Sequence, residues 1–306
     1  MEVAMDGKIS NFAQVASLRR YVYTEGKEKN LEVIDCDNGN IRFLLNVSKA
    51  LDVMQLYHRG QNMSFVSKNG FTARENDFLS RFEGGMVYTC GFDSLGHREG
   101  FELHGTHHND PAKILRAECD ENGIVVEAIV ESTQLFGKNL EFRRRISSPI
   151  GGETLTIEDT LTNKGFRDED YCILYHVNVG YPMLDDGGEI VADVKACETR
   201  TEWARINEDG KFRITDSIPN NEETCYFLKL NKPEISLVNK KLGKTFTVSY
   251  SEDTLPCFIE WHSMASGDYA LGFEPASTNL DNSFSYSKLG AGKKVDFKVE
   301  LTVKEA

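Results

Sequence analysis

The chain has 306 residues, 40% of them hydrophobic and 27% charged, an ordinary globular balance long enough for one large core or two smaller ones. A formal net charge of −13 argues against a nucleic-acid partner, whose phosphates need a clustered basic surface. No stretch approaches ~20 consecutive apolar residues, so no spanning helix and no membrane partner are expected. The opening "MEVAMDGKIS" carries no apolar run of the secretory kind. The seven cysteines are scattered singly, with no CxxC pair, which suits reduced and mostly buried thiols in a cytoplasmic protein.

In chain order, "NFAQVASLRRYV" (Asn11 to Val22) predicts a short helix capped by Ser10 or Asn11, within an N-terminal extension over residues 1–40. Strand patterns follow almost without interruption. "NIRFLLNVS" comes first, and "ENG" at Glu121 to Gly123 reads as a hairpin turn leading into "GIVVEAIVES". The only basic run, "FRRR" (Phe142 to Arg145), lies in a strand-like segment and reads as a solvated face. "TLTIEDTLTN" sets Leu155, Ile157 and Leu161 against Thr154, Thr156, Glu158 and Thr160, and "GKTFTVSYS" alternates in the same way. In "KVDFKVELTV", Val295, Phe297, Val299, Leu301 and Val303 share one face. Gly, Asn and Asp clusters separate these runs, and no linker or internal repeat divides the chain. The expectation is an all-β protein: one domain over residues 1–306, a large antiparallel β-sandwich with one or two short helices.

Several nucleotide and hydrolase motifs fail. Around Gly292-Lys293, Ser287 stands where a Walker loop needs glycine and Lys294 where it needs Ser or Thr. "EGGMVYTCG" lacks the dinucleotide spacing, and no nucleophile elbow is present.

Three segments carry more. "GFELHGTHHNDPAKI" holds His104, His107 and His108, an H-x-x-H-H pattern that matches neither zinc-helix motif and precedes an Asn-Asp-Pro turn. From spacing alone it is a polar loop, a site with His104 as its one functional histidine, or a metal cluster. In "YCILYHVNVGYP", Tyr171, Ile173, Tyr175, Val177 and Val179 share one strand face, while Cys172, Leu174, His176 and Asn178 share the other. His176 is either a satisfied core histidine or a functional one with Asn178 beside it. In "DYALGFEPASTN", Glu274 shares its face with Ala270 and Gly272, leaving open space before the carboxylate, and Pro275 is expected to stop the ladder. A partly desolvated glutamate has a raised pKa and suits general-base work.

Taken in order, these segments resemble the aldose 1-epimerase (galactose mutarotase) superfamily, most of all its divergent aldose-epimerase-like branch, from roughly residue 40 to the C-terminus. "ELHG" resembles the family's Leu-His-Gly-Gly element, with His104 as the sugar-contacting histidine. "LYHVNVGYP" resembles the strand that delivers the catalytic histidine, here His176, and "YALGFEPASTN" the strand of the catalytic glutamate, here Glu274. "FLSRFEGGMVYTCGF" resembles the segment supplying a sugar-binding arginine, Arg81, and "IEWHSM" an aromatic strand, with Trp261. Thr106 replaces the second glycine, the usual Asn-Arg pair is not evident, and Val177-Asn178-Val179-Gly180 replaces the usual continuation after the histidine. These departures bear on galactose or glucose as substrate more than on the fold.

The resemblance implies a galactose mutarotase-like supersandwich, a small carbohydrate as partner, and no metal or organic cofactor; a homodimer is left open. It implies Glu274 as general base and His176 as general acid in anomer interconversion. His104 and Arg81 would hold the sugar, with Asn178 beside them and Trp261 either stacking on a sugar face or packing in the core. A non-catalytic sugar-binding protein is one rival. The other is a metal-dependent cupin-like enzyme built on His104, His107 and His108.

Overall fold

A computed structural model describes residues 7–74 and 76–306. The first six residues of the opening segment lie outside the described residues. Five strands, β1 (Ser17–Val22), β2 (Glu32–Asp37), β3 (Ile41–Asn46), β4 (Asp52–His58) and β5 (Gln61–Asn62), pair in sequence order as one antiparallel sheet. A short helix α1 (Phe78–Arg81) leads to β6 (Val87–Phe92), which pairs with the second, larger sheet. That sheet continues with β7 (Ala112–Asp120), β8 (Gly123–Thr133), β9 (Asn139–Ser148), β10 (Thr154–Asn163), β11 (Glu169–Val179) and β12 (Glu189–Thr199). After helix α2 (Glu202–Ile206) come β13 (Thr224–Asn239), β14 (Lys244–Tyr250), β15 (Cys257–Ala265), β16 (Asp268–Ala276), β17 (Ser287–Leu289) and β18 (Lys294–Glu305). The spatial order is β17-β11-β16-β15-β13-β14-β18-β10-β9-β8-β7, with β6 on β11 and β12 on β13.

Alternating side chains place the core between the sheets. In the smaller sheet Ile34, Cys36, Phe43, Leu45, Val53 and Leu56 face inward. They meet Ile124, Val126, Leu155, Ile157, Phe297, Val299, Leu301 and Val303 from the larger one. Each such side chain fully removed from water contributes about 1.5–3 kcal/mol, which offsets the ordering of long strands. The all-β reading and the antiparallel sandwich therefore stand. Glu121-Asn122 is the two-residue hairpin loop between Asp120 and Gly123, as the sequence predicts. All seven cysteines are free, and Cys36, Cys90, Cys172 and Cys225 are buried. Among the described residues no helix is long and apolar enough to cross a membrane.

Three local expectations are corrected. The helix predicted over Asn11–Val22 closes after one 3₁₀ turn, Phe12–Gln14, in which Asn11 accepts the Ala13 N–H and Gln14 reaches back to the Asn11 N–H. From Ser17 onward the ladder with β2 claims the backbone, and tertiary pairing overrides a marginal helix. The basic run is not a solvated face throughout: Arg143 is exposed, but Arg144 alternates inward with Phe142 and is completely buried. Pro275 does not stop its strand, since β16 pairs with β15 through Pro275 and Ala276.

Candidate functional site

One face of the larger sheet carries the site. The register that pairs Val177 with Phe273 and Leu174 with Ala276 sets His176 of β11 across from Glu274 of β16. Across the next seam Glu274 pairs with Ile259 of β15, and Trp261 pairs with Gly272. Directly opposed residues of an antiparallel pair point to the same face, so His176, Glu274 and Trp261 emerge together. His176 Nε2 lies 3.3 Å from Glu274 Oε1, and both side chains are buried. The contact is not aligned as a hydrogen bond, and His176 Nδ1 and Glu274 Oε1 have no hydrogen-bond partner among the described residues. A Cβ on Gly272 would lie 2.5 Å from Glu274 Oε1 and 3.2 Å from the Trp261 Cβ, so the missing side chain is the space the carboxylate occupies.

Above this floor is a cavity of about 630 Å³ whose lining includes His104, His176, Trp261 and Glu274. The His176 ring is flanked by Phe82, His104 and Trp261, with ring centres 5.6, 5.7 and 5.4 Å away. Burial pushes the Glu274 carboxyl well above its usual range; nearby Glu223 adds to the rise and Arg200 opposes it. The same burial, with repulsion from His104, holds the His176 imidazole well below its ordinary value. Both shifts run in the direction that favours the uncharged forms, and a proton passed between the two groups across the 3.3 Å gap would give the ion pair at the same total charge.

His104 enters from the loop after β6. Its backbone is left-handed (φ 61°), and Gly105 follows at φ 78°. A Cβ on Gly105 would come within 2.5 Å of the Gly91 carbonyl oxygen and 2.7 Å of Asp93 Oδ1, which explains the glycine after the histidine. Thr106, where the resemblance expects a second glycine, donates its hydroxyl and its N–H to Asp93, both at 2.9 Å. The Gly96 N–H donates to His104 Nδ1 at 3.4 Å. With burial and Arg200 lowering its pKa to about 4, His104 is neutral at pH 7 and carries its proton on Nε2.

Other expected residues are placed elsewhere. Arg81 is buried outside the cavity lining, donating to the Asn76 carbonyl at 3.0 Å and to Glu102 at 2.9 Å, so it ties α1 to the His104 loop. Asn178 lies on the His176 face but below the cavity, its amide donating to the His176 carbonyl at 2.8 Å. The three neighbouring histidines do not converge. His107 packs against Phe92 and Phe142, and burial together with Arg144 lowers its pKa to about 3. His108 turns into the core between Asp52 (2.6 Å) and Glu83 (3.3 Å). A single metal cluster of His104, His107 and His108 is therefore ruled out by where the rings point. Among the described residues no group of three or more His, Cys, Asp or Glu is arranged to hold a metal ion.

Sequence reasoning missed Arg200 and Glu223, which line the same cavity. Arg200 follows β12 and donates to Asp281 at 2.5 Å, with Glu223 3.9 Å away. Glu223 accepts the Trp261 indole N–H at 2.7 Å, which fixes the ring beside His176. Neither residue sits in a motif; only the pairing of β13 with β15 and the crossover from β12 bring them to the floor.

The sequence family described as Domain of unknown function (DUF4432) matches residues 28–302. No curated protein matches the chain. Among solved structures, a Klebsiella pneumoniae protein provisionally assigned as an aldose 1-epimerase superposes with a TM-score of 0.84 at 18% identity, covering 96% of this chain and 86% of its own. A galactose mutarotase-like protein from Clostridium acetobutylicum gives 0.71 at 12% identity, covering 96% and 100%. A galactose mutarotase related enzyme from Lactobacillus acidophilus gives 0.62 at 12%, covering 89% and 97%. At these identities the likeness is one of fold, and it bears out the galactose mutarotase-like supersandwich.

Proposed function

This chain belongs to the DUF4432 family, and on that premise we propose that it is an isomerase of the aldose 1-epimerase type, interconverting the anomers of a monosaccharide or derivative without a cofactor. The observation that carries the reading is the buried His176–Glu274 pair, 3.3 Å apart at the floor of a cavity of about 630 Å³.

Anomer exchange needs a base to take the anomeric hydroxyl proton and an acid to protonate the ring oxygen as the C1–O5 bond breaks. Rotation about C1–C2 and the reverse transfers close the ring on the other face. Both oxygens are bonded to C1, so the acid and base that serve them must lie close together, as these two side chains do. In the ion-paired form Glu274 is the base and His176 the acid, and the roles reverse on closure. Each positioned transfer contributes about 10²–10⁴ in rate. His104 supplies a neutral N–H donor for a sugar oxygen, and Trp261 a face for the sugar's C–H groups. Arg81 and Asn178 act in this reading by holding the His104 loop and the His176 strand.

The test is proton NMR exchange spectroscopy on a panel of aldoses, comparing the protein with buffer. Accelerated exchange that disappears in Glu274→Gln is the expected result. Saturable sugar binding with exchange no faster than buffer would instead establish the non-catalytic binding protein.

A further inference from the structure

Resting on that assignment, we infer that Arg200 and Glu223 form a donor–acceptor clamp on the cavity that takes one hydroxyl of the sugar. Both residues line the cavity, where Arg200 and Lys68 are the two permanent cations among the described residues. Lys68 is paired with Asp268 at 2.6 Å.

Arg200 is held from two sides. Its backbone N–H donates to the Cys225 carbonyl at 3.0 Å, and its Nε and Nη2 fork onto Asp281 at 2.5 and 3.2 Å. Nη1 is then the guanidinium nitrogen nearest Glu223, whose Oε1 lies 3.9 Å away. Glu223 is fixed as well, because its Oε2 accepts the Trp261 indole N–H at 2.7 Å. A gap of 3.9 Å exceeds the range of about 2.7–3.2 Å over which N–H and oxygen hydrogen-bond. One oxygen seated beside the gap comes within that range of both atoms.

A hydroxyl is the group that fits. It accepts from Nη1 and donates to Oε1, using both halves of its hydrogen-bonding capacity. A carboxylate or phosphate, which only accepts, would meet the charge of Glu223; an ammonium, which only donates, would meet that of Arg200. Stability does not account for the arrangement. The Arg200 and Glu223 side chains are 26% and 53% exposed, and an ion pair so placed is worth little. Trp261 joins the clamp to the reacting pair, its ring centre 5.4 Å from that of His176. The indole N–H lies at the ring's edge, so a sugar stacked on the Trp261 face carries its outer hydroxyls toward Glu223.

The experiment measures dissociation constants by saturation-transfer NMR for glucose, galactose and mannose and for the monodeoxy analogues of each. Wild type is compared with Glu223→Gln and Arg200→Lys. The Gln side chain keeps a carbonyl for the Trp261 N–H and puts a donor amide where Oε1 stood, so two donors face the hydroxyl. Lys keeps the charge of Arg200 and loses the fork on Asp281. At one ring position wild type should bind the parent about tenfold more tightly than the deoxy analogue, the scale of a hydrogen bond to a charged group. That ratio should fall toward one in both variants while the ratios at other positions hold. Ratios that neither variant moves at any position overturn the clamp. A uniform loss of affinity across parents and analogues marks a structural role and overturns it too. Anomer exchange is read on the same samples. Ratios that respond in the variants, with no exchange in wild type, leave the clamp standing and remove the assigned activity; accelerated exchange with unresponsive ratios does the reverse.

Discussion

His104 and His108 stand four positions apart in the sequence and end in surroundings of opposite character. His108 joins a buried network in which every charge is answered. Asp52 accepts from Arg144 (2.5 Å), from the Thr89 hydroxyl (2.6 Å) and N–H (2.7 Å), and from His108 (2.6 Å). Arg144 also donates to Asp159, which accepts the Tyr175 hydroxyl at 2.7 Å, and Lys49 reaches Glu83 at 2.8 Å. Burial alone would raise the Asp52 carboxyl, but Arg144 and His108 bring it down to about 2. Burial likewise opposes charge on His108, and Glu83 and Asp52 outweigh it, raising its pKa. At the cavity floor nothing of the kind occurs. His176 and Glu274 are as deeply placed, yet among the described residues no Lys or Arg forms an ion pair with Glu274; an unpartnered atom is common to both regions, since His108 Nε2 lacks a hydrogen bond as His176 Nδ1 and Glu274 Oε1 do. A buried cluster whose carboxylates are matched by cations holds the fold, whereas a buried acid–imidazole pair with no cation paired to it and a cavity above it has the character of a functional site.

The contrast is broken or sharpened most forcefully at Glu274. Glu274→Gln should reduce anomer exchange by about 10²–10⁴ while stabilising the fold. The sign follows from its raised pKa: the native state holds a proton that the unfolded chain releases above about 4.5, so wild-type stability falls as pH rises toward the folded value. Thermal melts should place the Gln variant above wild type by more at pH 8 than at pH 5; a variant less stable at both would contradict the buried, uncompensated carboxyl.

Arg144→Leu tests the other side. Removing the guanidinium strands Asp52 and Asp159, and urea unfolding should register a loss of about 3–5 kcal/mol. A loss under about 1 kcal/mol would mean the network is solvated or rearranges, since surface pairs are worth no more than that.

A smaller effect is expected at Gly272→Ala, whose methyl would meet Glu274 Oε1 at 2.5 Å. Displacing the carboxylate should slow exchange about tenfold, equivalent to about 1.4 kcal/mol, with KM for the sugar little changed. Full activity in this variant would show that Glu274 has freedom to move.

The smallest effect separates the two histidines by pH. His108 contributes stability that is present below about 6.5 and fades as pH rises through its raised folded value, so His108→Gln should flatten the alkaline side of the melting profile. His104, lowered to about 4, acts with the opposite sign, and its contribution is lost as pH falls from about 6.5 toward 4. Identical profiles for the His104→Gln and His108→Gln variants would erase the distinction.

The pattern of side chains along the chain determined the strands, and with them the sandwich. Period-two alternation in β10 and β18 requires one wet and one dry face, which two stacked sheets provide. Alternation put His176 and Glu274 on particular strand faces but left each open between a structural and a functional reading; the resemblance to the aldose 1-epimerase superfamily, rather than the strand pattern, singled them out. The same rule applied to Phe142–Arg145 should have flagged Arg144 as inward-facing, but its partners Asp52 and Asp159 lie on other strands and give no local signal. For the same reason Arg200 and Glu223 were invisible while Arg81 drew attention it does not earn at the cavity. Alternation is a property of neighbours in the chain and survives in one sequence. Which charge answers which, and which two of three adjacent histidines turn inward, depends on strand register and loop crossings that only the assembled sheets fix.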